Sequence, residues 1–107
     1  MIGSMWILRC PTDETLVFRV APGNIKTFGR APRADFIVDA ALVSRLHCRV
    51  EAAFDALTVV DLSSTNGTFV NGKRVPPGKY MRLSPGDFIL IGRTKLSLHH
   101  LGVESPS

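Results

Sequence analysis

The sequence predicts an all-β domain folded as a two-layer sandwich. Three observations carry that prediction: helical periodicity is nearly absent, short apolar or alternating runs recur along the chain, and clusters of turn formers separate them. Such frequent punctuation leaves no room for long helices. A sheet with one apolar face also needs a second layer to cover it, which favours a sandwich or barrel.

The runs follow in order. Trp6 to Cys10 and Leu16 to Val20 come first, and the turn group Ala21-Pro22-Gly23-Asn24 follows them. An apolar strand then closes at Gly29-Arg30, and Phe36 to Val38 makes the next run. Ala40-Ala41-Leu42-Val43 has the composition of one short helical turn. Leu46 to Ala53 and Leu57 to Val60 precede the polar loop Ser63-Ser64-Thr65-Asn66-Gly67. Phe69 to Val75 reads as a hairpin, because Asn71-Gly72 supplies two residues that tolerate positive φ. Pro76-Pro77-Gly78 cannot continue a strand ladder, since proline lacks the donor, so a loop leads to Tyr80 to Leu83. After the turn Ser84-Pro85-Gly86-Asp87, Phe88 to Ile91 and Leu96 to Leu98 complete the set.

A chain of 107 residues fits one domain with its own core, expected over residues 5–101. Met1-Ile2-Gly3-Ser4 reads as an expression remnant before a natural start at Met5, and residues 102–107, with their Ser105-Pro106 pair, as a tail or the start of a linker. No internal repeat stands out.

The 45% apolar and 21% charged composition is that of a soluble globular protein. The longest apolar run, Phe88-Ile89-Leu90-Ile91, is far too short to cross a bilayer. Cys10 and Cys48 lack metal-ligand spacing and read as reduced core residues, which fits an intracellular protein without separating nucleus from cytoplasm. A net charge of +4 favours anionic partners. The cations are scattered rather than clustered, however, which argues against nucleic acid. Asp13-Glu14 is an isolated acidic pair, His47, His99 and His100 lack ligand spacing, and the Gly23 region is no phosphate loop, so neither catalysis nor a metal or cofactor is expected.

The informative feature is a set of polar residues in separate connecting segments: Gly29-Arg30, Ser44-Arg45-Leu46-His47, and Asp61 through Thr68. Loops on a rigid scaffold can bring such positions together. Arginine presents a planar set of donors and serine a short directional one, the chemistry a phosphorylated side chain requires.

With these motifs at this spacing, and Asn71-Gly72 beyond them, the chain resembles the forkhead-associated (FHA) domain family across nearly its whole globular region. The resemblance implies an eleven-stranded sandwich with the termini together at one end and recognition loops at the other. It implies binding of phosphothreonine in a flexible segment of a partner protein. On that basis Arg30 and Ser44 are the expected phosphate ligands, with Arg45 an additional basic contact. Thr65 would help form the phosphothreonine pocket, and Asn66 would grip the peptide main chain. His47 would brace the loops, and Gly29, Gly67 and Gly72 would set their geometry. Selectivity beyond the phosphothreonine would fall to Leu42, which stands where some members carry a basic residue, and to Arg93. The resemblance extends to signalling proteins, DNA-damage adaptors among them.

Two other readings stay open at this stage. The sandwich surface could dock or dimerise independently of phosphorylation, and oligomeric state is not fixed by the sequence. A nucleic-acid adaptor would draw on the positive charge alone.

Overall fold

The computed structural model describes residues 4–102, so all but Ser4 of the expected remnant and all but Gly102 of the expected tail, with Ser105-Pro106, lie outside the described residues. Eleven strands succeed one another: β1 (Met5–Cys10), β2 (Asp13–Val20), β3 (Ile25–Gly29), β4 (Phe36–Ile37), β5 (Cys48–Ala52), β6 (Leu57–Asp61), β7 (Thr68–Val70), β8 (Lys73–Arg74), β9 (Tyr80–Leu83), β10 (Phe88–Ile91) and β11 (Thr94–Leu101). One sheet runs β2-β1-β11-β10-β7-β8 and the other β4-β3-β5-β6-β9. All pairings are antiparallel except β3 with β4.

Alternation selects the face each strand buries. Trp6 and Leu8 of β1, Val50 and Ala52 of β5, Ile89 and Ile91 of β10, and Leu96 and Leu98 of β11 point into one core between the sheets. Each such valine, leucine or isoleucine contributes about 1.5–3 kcal/mol by leaving water. Trp6 is buried too, and its indole N–H donates to the Ala53 carbonyl at 2.8 Å, so no donor is stranded. At the sandwich edge, Phe18 on β2 packs on Phe28 and Phe36, with ring centroids 5.1 and 5.0 Å away. This trio closes the core between β2 in one sheet and β3 and β4 in the other.

Local differences from the expected runs have local causes. The Leu46-to-Ala53 run begins its ladder only at Cys48, because His47 turns its ring into the loop network described below. Val38 leaves the ladder after β4, although its N–H still donates to the Gly29 carbonyl at 2.8 Å. The Ala40-to-Val43 segment makes a single turn, closed by a Val43 N–H to Ala40 carbonyl bond of 3.1 Å, too short to propagate as a helix. The Asn71-Gly72 hairpin forms as expected, with φ of 50° and 87° at the two turn residues.

Topology separates the two ends of the sandwich. Met5 pairs with Leu101, bringing the first and last strands together at one end. Strand β11 runs back from there to the Gly92-Arg93 turn at the opposite end, where the β4–β5 loop is packed against Gly92. No helix among the described residues is long and apolar enough to cross a membrane.

Candidate functional site

The loop end is assembled from three connections: β3–β4, β4–β5 and β6–β7. Backbone bonds join the first two, with Arg30 N–H donating to the Ser44 carbonyl and Ala31 N–H to the Arg45 carbonyl, both at 3.0 Å. Gly29 permits this approach, since a Cβ there would lie 2.0 Å from the Arg45 carbonyl oxygen. The β3–β4 connection is fixed again at Asp35, whose carboxylate accepts both the backbone N–H and the hydroxyl of Thr27 at 2.8 and 3.1 Å. The Thr27 N–H holds the Asp35 carboxyl below its ordinary range despite the opposing effect of desolvation.

His47 joins the second and third loops from a fully buried position. Ser44 N–H donates to His47 Nδ1 at 3.0 Å, so that nitrogen carries a lone pair. The ring proton therefore resides on Nε2, which donates to the Gly67 carbonyl at 2.9 Å. One neutral imidazole thus satisfies a donor in one loop and an acceptor in the other.

Beneath the β6–β7 loop, Asp61 is buried and accepts three hydrogen bonds. The Ser64 and Thr68 hydroxyls both reach Oδ1, the latter at 2.7 Å, while Ser64 N–H donates to Oδ2 at 3.1 Å. Ser64 Oγ in turn accepts Gly67 N–H at 3.0 Å, so the loop is wound around one side chain. Ser63 adopts φ 58° within it, an uncommon state for a residue with a Cβ. Cys48 is the cross-strand partner of Asp61. Burial pushes its thiol up to about 12, the Asp61 charge adding to the effect and a Thr68 hydrogen bond opposing it.

Over this frame lies a shallow cleft of about 150 Å³, lined by Arg30, Leu42, Ser44, Thr65 and Asn66 together with Ala41 and Val43. Arg30 Nε donates to the Val43 carbonyl at 3.0 Å, which anchors the guanidinium while its two terminal nitrogens take no part in that bond. Ser44 Oγ accepts the Thr65 backbone N–H at 3.0 Å, so its own proton is left to donate. Asn66 Nδ2 donates to the Leu42 carbonyl at 3.1 Å, fixing the amide with its oxygen still available. The combination is an exposed cation, a hydroxyl donor and an amide, all pre-oriented by main-chain contacts. Chemically it can receive a tetrahedral anion and an adjoining peptide group.

The predicted residues distribute unevenly around this cleft. Arg30, Ser44, Thr65 and Asn66 converge on it, and Gly29, His47 and Gly67 support it from beneath. The Arg45 side chain is exposed and does not line the cleft, whereas its carbonyl holds the β3–β4 loop. Gly72 lies in the far hairpin turn, next to Asn71, whose side chain bonds Asp87 and Phe88 at the start of β10. Leu42 borders both this cleft and a neighbouring one of about 310 Å³, which it shares with Ala40, Ala41 and Arg93. Sequence reasoning singled out the Asp61-to-Thr68 loop but gave Asp61, Ser64 and Thr68 no individual role, and it passed over Gly92. The first three carry a local signal, an acid followed at short spacing by hydroxyl residues in a loop. Gly92, at φ 61°, matters through a distant contact, since a Cβ there would lie 3.0 Å from the Leu42 backbone.

Comparison with known proteins points the same way. The family model described as FHA domain matches residues 26–92. The oxoglutarate dehydrogenase inhibitor of Corynebacterium diphtheriae is 39% identical over 70 residues, covering 65% of this chain and 47% of that protein. Protein FraH of a Nostoc species is 40% identical over 55 residues, or 51% of this chain and 19% of that one. The chain therefore spans less than half the length of these curated relatives. A solved structure from a structural and functional analysis of phosphothreonine-dependent FHA domain interactions superposes with a TM-score of 0.79 at 25% identity, covering 96% of this chain and 99% of the other.

Proposed function

This chain belongs to the FHA domain family, and from that premise we propose that it is a reader of phosphothreonine, docking partner proteins through a phosphorylated segment laid across the loop end. The observation that carries the reading is the convergence of Arg30, Ser44 and Asn66 on one cleft, each already tied to backbone by a bond that leaves its recognition atoms free. A phosphate of about −1.5 to −2 charge would take charge-assisted bonds from Arg30 and the Ser44 hydroxyl. Asn66 would hold the peptide main chain beside it. Arg45 would add to the attractive field from outside the cleft rather than close upon the phosphate.

Preference for threonine over serine needs a surface for the extra methyl, worth only about 0.8 kcal/mol by simple burial. Thr65, on the cleft rim next to Asn66, supplies such a surface. Selection further along the peptide would come from the neighbouring cleft, where Leu42 offers an apolar wall and Arg93 a charge. The reader is a passive one and returns its peptide unchanged. Calorimetric titration with three otherwise identical peptides, carrying phosphothreonine, phosphoserine or threonine, tests the reading. Phosphothreonine should bind most tightly and plain threonine not measurably. A phosphoserine peptide binding as well as its threonine twin would remove the selectivity, and equal binding of all three would remove the reader.

A further inference from the structure

The outer face of the six-stranded sheet contributes nothing to the loop-end cleft, yet it differs in kind from the outer face of the other sheet. On the five-stranded sheet Arg49 is neutralised by Glu51 at 3.2 Å and also reaches the Tyr80 hydroxyl. That is the one ion pair among the described residues. Across the six-stranded sheet, cross-strand register instead sets cations among apolar side chains. Val17 lies opposite Arg9, Arg9 opposite Ser97, and Ser97 opposite Phe88. In the row on one side, Arg19 faces Ile7 and Ile7 faces His99. In the row on the other, Lys95 faces Leu90 and Leu90 faces Phe69.

Ile7, Val17, Phe69, Phe88 and Leu90 are each half-buried, so this face leaves a broad apolar area partly in water. Arg9, Arg19 and Lys95 have no carboxylate partner among the described residues. Lys95 has turned to an aromatic ring instead, its Nζ lying 4.3 Å from the Phe88 centroid. A cleft of about 530 Å³ opens on this face along Arg9, Val17, Ser97 and His99, and Glu14 is the one acid lining it.

We propose that this face is a second docking surface, for an acidic protein segment that carries apolar side chains, and that it binds without phosphorylation. Charge complementarity selects the occupant. Arg9, Arg19 and Lys95 would meet carboxylates, and the half-buried side chains between them would be covered by the partner's apolar residues. Nucleic acid matches the charge but gains little from the aliphatic Ile7, Val17 and Leu90. A second copy of this chain would set the same unpaired cations against each other. The face also runs toward the loop end, since Arg74 of β8 pairs with Phe69 and its guanidinium lies against Gly67. One partner could therefore span both surfaces.

The experiment follows backbone amide shifts of the isotope-labelled full chain as an unphosphorylated peptide alternating Glu with Leu is added, then an Arg9→Glu, Lys95→Glu variant. Saturable shifts are expected at Ile7, Arg9, Val17 and Ser97, weakened about tenfold or more in the double variant and preserved in Arg30→Ala. Retained binding of a phosphothreonine peptide by the double variant shows that it folds, and Arg9→Gln, Lys95→Gln replaces it if charge reversal disturbs folding. Shifts confined to Arg30, Ser44 and Asn66, unchanged affinity in the double variant, or tighter binding of a single-stranded oligonucleotide on the same residues would each overturn the proposal. Failure of Arg30→Ala to lose phosphopeptide binding would count against the phosphothreonine reading alone.

Discussion

The Ser44 hydroxyl accepts the Thr65 backbone N–H at 3.0 Å, a bond between two loops 21 residues apart in sequence. It gives one oxygen two duties, to hold the loops at a fixed spacing and to offer its proton to an anion in the cleft. Ser44→Ala removes both. Phosphopeptide affinity should fall about tenfold or more, and stability by about 0.5–1.5 kcal/mol from the lost bond between the loops. Titration calorimetry and urea denaturation of the same sample separate the two effects. An unchanged affinity with lowered stability would make Ser44 a brace only.

The histidine beneath is a matter of stability before affinity. His47→Ala leaves a cavity and strips partners from the part-buried Ser44 N–H and from the buried Gly67 carbonyl. The expected loss is about 2–4 kcal/mol by urea denaturation. Gly29→Ala should be as damaging, because its Cβ meets backbone rather than a movable side chain. Stabilities within about 0.5 kcal/mol of the parent would contradict the bracing role.

Cys48 sets an alkaline limit. Its thiol, pushed up to about 12 in the fold, stays protonated while the unfolded chain's thiol ionises from about 9 upward. The unfolded state then binds fewer protons than the native one, so stability falls as pH rises from about 9 toward 12, by roughly 1.4 kcal/mol per unit at most. Cys48→Ala should flatten that part of the stability profile relative to the parent. Alkylation of the native protein near neutral pH should label Cys10 and spare Cys48, and mass spectrometry with and without denaturant reads the difference. Equal labelling of both cysteines in the native state would contradict the burial.

Partner choice is expected to follow Leu42 and Arg93. An oriented phosphothreonine library should show selection at a residue after the phosphothreonine, admitting apolar side chains against Leu42. Leu42→Lys should turn that preference toward acidic residues, by about 1 kcal/mol or a few-fold in affinity. Identical library profiles for the two proteins would separate Leu42 from specificity.

Much of this was legible in the chain itself. Alternation and turn formers located the strands because each buries one face, and Asn71-Gly72 specified its hairpin through positive φ alone. Arg30, Ser44 and Asn66 could be singled out because their motifs stand together at the spacing of the FHA family, and the resemblance assigned roles that their residue types are suited to fill. Other roles depend on distance in space rather than on pattern. The contact of Gly92 with Leu42 joins a turn to a loop far away in sequence, and the position of Arg45 outside the cleft follows from the direction its side chain takes. Asp61 lay between these cases. Its spacing to Ser64 and Thr68 was visible, but an acid beside hydroxyls ordinarily faces solvent, and only burial turns it into the post around which the loop is wound.

The proposed phosphate site is built on Arg30. The most direct measurement is calorimetric titration of matched phosphothreonine and threonine peptides into the parent protein and into Arg30→Ala. The parent should bind only the phosphorylated peptide, and the variant should bind it about 10–100-fold more weakly with its unfolding midpoint little changed. Equal affinity in all four pairings would contradict the site.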